Sequence, residues 1–484
     1  MIGSLAARHP PGLSTLFFTE MWERCSYYGM RALLILFMTA AMQEGGLGLN
    51  DQVAGAIYGL YTAAVYLAAL PGGWVADRWL GGQRAVWWGG LLIAAGQFTL
   101  AVPRRELFVP GLCLVVLGTG LLKPNVSAMV GQLYPEGGAR RDAGFTIFYM
   151  GINLGATVGP LICGWLGEKI NWRLGFAGAG VGMLFGLIQF QLTRARLGQA
   201  GLPLSPRPDR RRVAGALLPV GFALAAGAIL AYSGQVRLEP VALAQGARWV
   251  IVGLAAVFFV YVLVWGRLTG LERKRVGVIA LLFVVSALFW SGFEQAGSSF
   301  NLFAERYTAR WILGWEVPAG WFQMCGPIFV VSLAPVAAAV WMGLARRGKE
   351  PGLLTKFGLG LALLGVGFLV MGLAARRALG SGPVLPIWLL STYFIHTVAE
   401  LCLSPVGLSA VTKLAPERFV GQMMGVWFLA TSLGNLMAGL FAGAISGAAA
   451  SSMPDGYMRL GLLACAAGAV LLAISRPVQR LIPR

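Results

Sequence analysis

The sequence predicts an all-α polytopic membrane protein of fourteen transmembrane helices: two bundles of six, with an additional pair between them. Three observations predict it. Of 484 residues, 57% are hydrophobic and 12% charged, against about 25% charged in a soluble domain. A window of about 20 apolar residues, the length that crosses a bilayer, fits the chain fourteen times. Basic residues gather in alternate loops, as they do when one face of the protein stays in the cytoplasm.

The first span is 13–42. The residues before it are mixed, and the apolar stretch is too long and too charged for a signal core, so this helix is expected to stay in the mature protein. Spans 52–77, 84–102, 107–133, 143–167 and 173–193 complete a first unit, 1–195. Thr193 to Arg212 is rich in Pro and Arg and reads as a cytoplasmic linker. Spans 213–233 and 247–267 carry almost no buried charge and read as scaffold, so 196–272 is linker plus added helices. Spans 276–303, 320–344, 354–375, 385–411, 419–447 and 457–475 make the second unit, 273–484. Six plus six is the pattern of a transporter with its site between two bundles.

The formal charge of +19 is explained by this topology, and no nucleic-acid partner is expected. Roughly 24 of the 38 Lys and Arg lie in one set of loops and the termini, and roughly 11 on the other side. That places both termini in the cytoplasm. The remaining three are Arg24, Arg31 and Lys123, at membrane depth. The six cysteines lie in apolar segments without a CxxC pair, so neither a disulfide framework nor a metal site is expected.

Charge at depth carries the functional reading. The first span holds Glu20, Glu23, Arg24 and Arg31, with Tyr27 and Tyr28 between. One intramembrane charge costs about 2.5–3.5 kcal/mol on insertion scales. At about 100° per residue, positions 20, 24, 27 and 31 fall on one stripe, flanked by 23 and 28. The stripe reads as a buried salt bridge orienting two helices, or as a polar path through the protein. Further along stand Lys123-Pro124-Asn125 in span 107–133, Asn153 in 143–167, Trp290 and Glu294 in 276–303, and Glu400 in 385–411. Four buried acids face three buried bases. At least one carboxylate lacks a fixed partner and can change its protonation with access and pairing. A zwitterion could exchange these pairs: its carboxylate on Arg31 or Lys123, its ammonium on a glutamate.

Several of these runs carry a resemblance. Gly72-Gly73-Trp74-Val75-Ala76-Asp77-Arg78-Trp79-Leu80-Gly81-Gly82-Gln83-Arg84 resembles the loop signature of the major facilitator superfamily. Glu20-x-x-Glu23-Arg24 followed by Tyr27-Tyr28-Gly29 looks like the hallmark of proton-dependent oligopeptide transporters. Phe148 to Gly155 looks like their second signature. Gly118 to Asn125, Phe289 to Gln295 and Glu400 to Pro405 match in the expected order.

The resemblance implies a proton-coupled symporter importing di- and tripeptides by alternating access. It needs no cofactor beyond the coupling proton, and functions as a monomer in membrane lipid. It assigns proton coupling to Glu20, Glu23, Arg24 and Glu294, with Lys123 pairing the first group. It gives the peptide carboxylate to Arg31 and Lys123, and the amino terminus to Glu400. The peptide backbone goes to Tyr28, Tyr66 and Asn153, and side-chain pockets to Trp290 and Trp427. The chain departs from the pattern at Cys25, at Gly326 (often an asparagine binding the amino end) and at Gly59 (in some members a gating histidine near an acid like Glu305). A short loop from Arg376 to Pro386 excludes the large insert of animal members, and the extra helix pair suggests a bacterial inner membrane.

Other classes fare worse. Another small zwitterion or anion would use the same fold, but a substrate without an amino group would not need Glu400. An intramembrane hydrolase would need a nucleophile and a base together. His396 and Ser404 are roughly 12 Å apart by helical rise and no motif surrounds either. His396 reads as a core residue or a proton relay. A receptor-like sensor would need a signalling domain, which is not seen.

Overall fold

The computed structural model describes residues 9–203, 239–447 and 450–480. The expected span 213–233, and the linker beyond Pro203, lie outside the described residues. The other thirteen expected spans are helical. The first unit contains α1 (Gly12–Thr39), α2 (Asp51–Val75), α3 (Gly82–Ala101), α4 (Phe108–Gln132), α5 (Gly138–Trp165) and α6 (Trp172–Thr193). The additional helix is α7 (Pro240–Trp265). The second unit contains α8 (Gly270–Phe293), α9 (Ser299–Tyr307), α10 (Cys325–Arg346), α11 (Leu353–Ser381), α12 (Ile387–Leu414), α13 (Val420–Ser446) and α14 (Met453–Arg480). Among the described residues, ten helical segments are long and apolar enough to cross a membrane by length and composition. α1 is not one of them, because its charges interrupt every stretch of that length.

The span expected as one helix over 276–303 is broken. α8 stops at Phe293, a tight turn runs Glu294–Gly297, and α9 restarts at Ser299. Side chains take over the backbone's role there. Gln295 accepts from Ser299 Oγ (2.6 Å) and donates to Ala438 O on α13 (3.0 Å). An apolar run with no Pro gives periodicity nothing to detect at this point.

α1 packs on α5 and α6, α2 on α4, and α3 on α4 and α6. In the second bundle α11 packs on α12 and α14, and α8 on α13. The bundles meet along α2 and α13, where Gly55 and Gly59 lie on Gly439 and Gly443. A Cβ on Gly59 would stand 2.8 Å from Leu436 O. Small residues let two membrane helices come this close. α7 touches both α2 and α13 and so lies across the seam.

The seam is closed at the end opposite the basic loops. Arg306 holds Asp51 through two hydrogen bonds (2.6 and 2.9 Å). The Glu168 carboxylate accepts the backbone N–H groups of Ala319 and Gly320, each at 2.7 Å. Asn301 donates to Ala32 O (2.8 Å). Lys169 meets Glu316 at 2.7 Å, and this bond holds the Glu316 carboxyl below the usual carboxylate range. A depressed carboxylate contributes stability above its unfolded pKa and loses it as pH falls through the lower folded value. The Lys169–Glu316 tie is therefore fully charged from neutral down to mildly acidic pH, and does not act as a switch there. Toward the basic loops, the deepest polar link between bundles among the described residues is Ser432 Oγ to Ala63 O (3.0 Å). Among the described residues, no ion pair joins the two bundles on that side.

Candidate functional site

The stripe on α1 folds as its spacing predicts, into two charged stations. At the first, Arg24 Nε lies 3.1 Å from Glu20 Oε1 and also donates to Glu23 Oε2. All three are buried, and Glu20 Oε2, Glu23 Oε1 and Arg24 Nη2 have no hydrogen-bond partner. At the second, Arg31 bonds Glu294 and donates through Nε to Tyr58 Oη at 2.5 Å. Tyr28 stands between the stations, its ring 6.0 Å from the Arg24 guanidinium and 5.8 Å from that of Arg31. Arg31 is on the first bundle and Glu294 at the helix break of the second. The pair is thus an ion bridge across the seam.

The break explains the approach. Gly297 faces Arg31 and Tyr58 so closely that a Cβ there would overlap Tyr58 Oη and stand 2.7 Å from Arg31 Nε. Only a residue without a side chain leaves room for the pair.

A cavity of about 210 Å³ opens beside the second station. Tyr28 and Arg31 of α1, Tyr66 of α2, Asn153 of α5, Trp290 and Glu294 of α8, and Glu400 of α12 line it. The sequence reading named all seven. Asn153 uses one amide hydrogen on Tyr149 O (3.0 Å) and keeps its carbonyl free. Glu400 makes no ion pair within 4 Å among the described residues, so the acid left over in the charge count is this one.

Two expected residues are placed elsewhere. Lys123 does not pair with Glu20 or Glu23. Its Nζ sits 4.3 Å from the centre of the Tyr66 ring, behind the cavity wall. Arg24 reaches both glutamates from within the same helix, Glu20 one turn away and Glu23 next to it, while a cation–π contact with Tyr66 holds the lysine. Trp427 does not reach the cavity. It packs on Phe357, with ring centres 6.5 Å apart, and fills the space over Gly407. His396 lines the cavity, but its Nε2 is taken by Leu364 O (3.1 Å), and Phe300 and Phe368 pack on its ring. That is the core-residue reading, with the relay unsupported. Gly59 lies in the glycine seam, and Glu305 pairs with Arg306 at 3.5 Å.

Sequence reasoning missed Tyr58, Tyr149, Gln323 and Tyr393 on or beside the cavity. Gln323 is informative. Two buried polar atoms without a partner belong to cavity-lining residues among those described, Trp290 Nε1 and Gln323 Nε2, and both are donors. One turn on, a Cβ on Gly326 would meet nothing within 4 Å. This corner therefore offers space and an unspent N–H. Gln323 lies in a short turn before α10, where no helical period marks it.

The site can bind a dipolar solute. It presents a cation held by a displaceable acid, a free carboxylate, and amide and indole donors between. Comparisons with known proteins agree. A sequence profile of the POT family matches residues 83–457. The chain is 42% identical to the peptide transporter YePEPT of Yersinia enterocolitica subsp. palearctica over 98% of its own length and 95% of the relative's. Among solved structures, it is similar to a peptide transporter POT crystallised with alafosfalin (TM-score 0.90, 42% identity, 98% and 96% coverage). It is also similar to a POT family transporter in complex with 5-aminolevulinic acid (TM-score 0.87, 33% identity, 97% and 97% coverage).

Proposed function

The chain belongs to the POT family, and we infer that it is a proton-coupled symporter that imports di- and tripeptides by alternating access of its two bundles. It is a multi-pass membrane transporter, not an enzyme. The observation that carries the coupling is the Arg31–Glu294 bridge beside an unpaired Glu400. A peptide carboxylate and Glu294 compete for one guanidinium. A proton on Glu294 removes the competitor, so peptide and proton bind together. When the proton leaves toward the open side, Glu294 recaptures Arg31 and expels the carboxylate. The peptide ammonium meets Glu400 across the cavity, and Tyr28, Tyr66 and Asn153 lie along the backbone between.

Glu20, Glu23 and Arg24 form the second proton station on this reading. The unpaired buried oxygens of Glu20 and Glu23 lie where a proton, or Lys123 after a shift of α4, would be accepted. The basic-loop end is cytoplasmic by the positive-inside rule, so both termini are cytoplasmic, the protein sits in a bacterial inner membrane, and the structure is inward-open. One chain lines the whole cavity, so the monomer is the transporting unit.

The purified protein in liposomes is expected to accumulate dialanine under an inward proton gradient and only to equilibrate it without one. Equal uptake in both conditions would remove proton coupling. No movement at all would remove the peptide reading. A second reading, a small zwitterion without a peptide bond, is favoured by the relative bound to 5-aminolevulinic acid. Competition of that compound with dialanine, tested side by side, separates the two.

Gln323→Ala is expected to raise KM for dialanine roughly 2- to 12-fold with little change in kcat, the worth of one neutral hydrogen bond at about 0.5–1.5 kcal/mol. An unchanged KM would show that the carboxamide does not meet the substrate.

A further inference from the structure

Between α9 and α10 the chain forms a small hairpin, β1 (Trp311–Ile312) and β2 (Trp315–Glu316), paired antiparallel. Its two-residue turn is Leu313-Gly314, with φ of 52° and 78°. Left-handed backbone suits glycine and asparagine, and a leucine there is strained. Folding gains nothing from this leucine, because its side chain is fully exposed. Trp311 and Ile312 are also exposed, at 70% and 51%, and Trp315 at 42%. Four large apolar side chains thus crowd one tip in water. The base of the hairpin is polar, with Arg310 bonded to Val317 O (2.6 Å) and to Glu316 (2.8 Å).

Position decides what covers the tip. The hairpin starts four residues after the apolar segment that ends at Tyr307 and stops three before the one that begins at Ala319, so it lies level with a membrane surface. Trp315 packs on Trp321, which donates to Leu161 O of α5 (3.0 Å). Next to Leu161, Ile162 and Trp165 are exposed on the outside of α5. Tryptophan concentrates at membrane–water interfaces, with an apolar body and a polar N–H. Four side chains are too few for a specific protein partner, which needs about 800 Å² from each side.

We propose that this hairpin is a membrane anchor. Trp311, Ile312, Leu313 and Trp315 seat in the interfacial layer of the leaflet opposite the basic loops. Glu316, bonded to Lys169 of the first bundle, carries that hold to the closed seam. The anchor does not rest on the transport reading, and its fluorescence test is read without transport; only the hold on the seam is read through uptake.

The test uses the full-length protein in phosphatidylethanolamine–phosphatidylglycerol liposomes. Leu313→Cys is labelled with an environment-sensitive thiol fluorophore, and wild type is labelled in parallel to subtract the native cysteines. Ser381→Cys, exposed at the same end, is the aqueous reference. The Leu313 probe is expected to emit to the blue of the reference, to be quenched by nitroxide lipids labelled near the headgroup, and to be shielded from aqueous iodide. Emission and iodide quenching equal to the reference would overturn the anchor. A blue probe insensitive to nitroxide lipid, but strengthening with protein density, would overturn it in favour of a second copy. Should Leu313→Cys fail to fold, Trp311→Cys gives the same readout. Leu313→Asn keeps a turn that tolerates left-handed backbone. It is expected to bind peptide normally in detergent and to lose uptake only in liposomes, whereas equal uptake would show that the hairpin's hold does not reach the seam.

Discussion

Glu294→Gln is expected to abolish gradient-driven accumulation of dialanine while leaving peptide counterflow intact. The substitution keeps the shape of the side chain at the helix break but fixes it neutral. Its contact with Arg31 changes from an ion pair to a hydrogen bond between a neutral amide and the charged guanidinium, which a peptide carboxylate displaces more readily than it displaces Glu294. Arg31 stays available to the peptide carboxylate at every pH, so binding and exchange continue. No proton need enter or leave for the cycle to turn, so the gradient has nothing to push. Paired measurements in liposomes check this: uptake against a concentration gradient, and counterflow with unlabelled peptide inside. Accumulation at the wild-type level would sink the assignment and turn attention to Glu20 and Glu23. Loss of both activities would show that Glu294 is needed to hold the fold, because leaving a buried charge unpaired can cost about 3–5 kcal/mol.

Gly297→Ala is expected to have an effect of similar size by a different route. One methyl group would overlap Tyr58 Oη and crowd Arg31 Nε. Overpacking of this kind costs about 1–3 kcal/mol. The cost falls only on the arrangement in which Arg31, Tyr58 and the Glu294–Gly297 turn are together, which is the closed outer seam. A shift of that size changes the balance of two states by about 5- to 150-fold. The expected results are slowed transport and greater labelling of Ile57→Cys, on the outer half of α2, by a membrane-impermeant thiol reagent. Tyr58→Phe removes the hydroxyl that the methyl meets, so the double variant should recover part of the loss. Wild-type transport in Gly297→Ala would mean that the turn relaxes at no cost. Failure of Tyr58→Phe to help would place the clash on Arg31 alone.

Most of the site was legible in the sequence because charge at membrane depth is conspicuous. Glu20, Glu23, Arg24, Arg31, Glu294 and Glu400 stand out against apolar surroundings, and the helical period assigns those of α1 to one face. Uncharged partners were harder to see. Tyr58 and Gln323 look like ordinary aromatic and amide positions until the chain brings Tyr58 to 2.5 Å from Arg31 and turns Gln323 to the cavity. Lys123 and Trp427 show the opposite error. A sequence motif names which groups are near one another, but the position of a flexible ammonium or a large ring depends on which neighbour reaches it first.

The sequence by itself determined the membrane class, the order of the spans among the described residues, the buried charge system, and the family. Those follow from local facts: hydropathy over about 20 residues, a period of 3.6, and short motifs. The tertiary structure alone decided which charges pair. It took Arg31 across the seam to Glu294, left Glu400 without an ion pair among the described residues, broke the helix at Glu294, and lifted an apolar hairpin to the membrane edge. The physical reason is that pairing between buried charges depends on distances of a few ångströms between segments more than 200 residues apart, and no local pattern in a chain encodes such a distance.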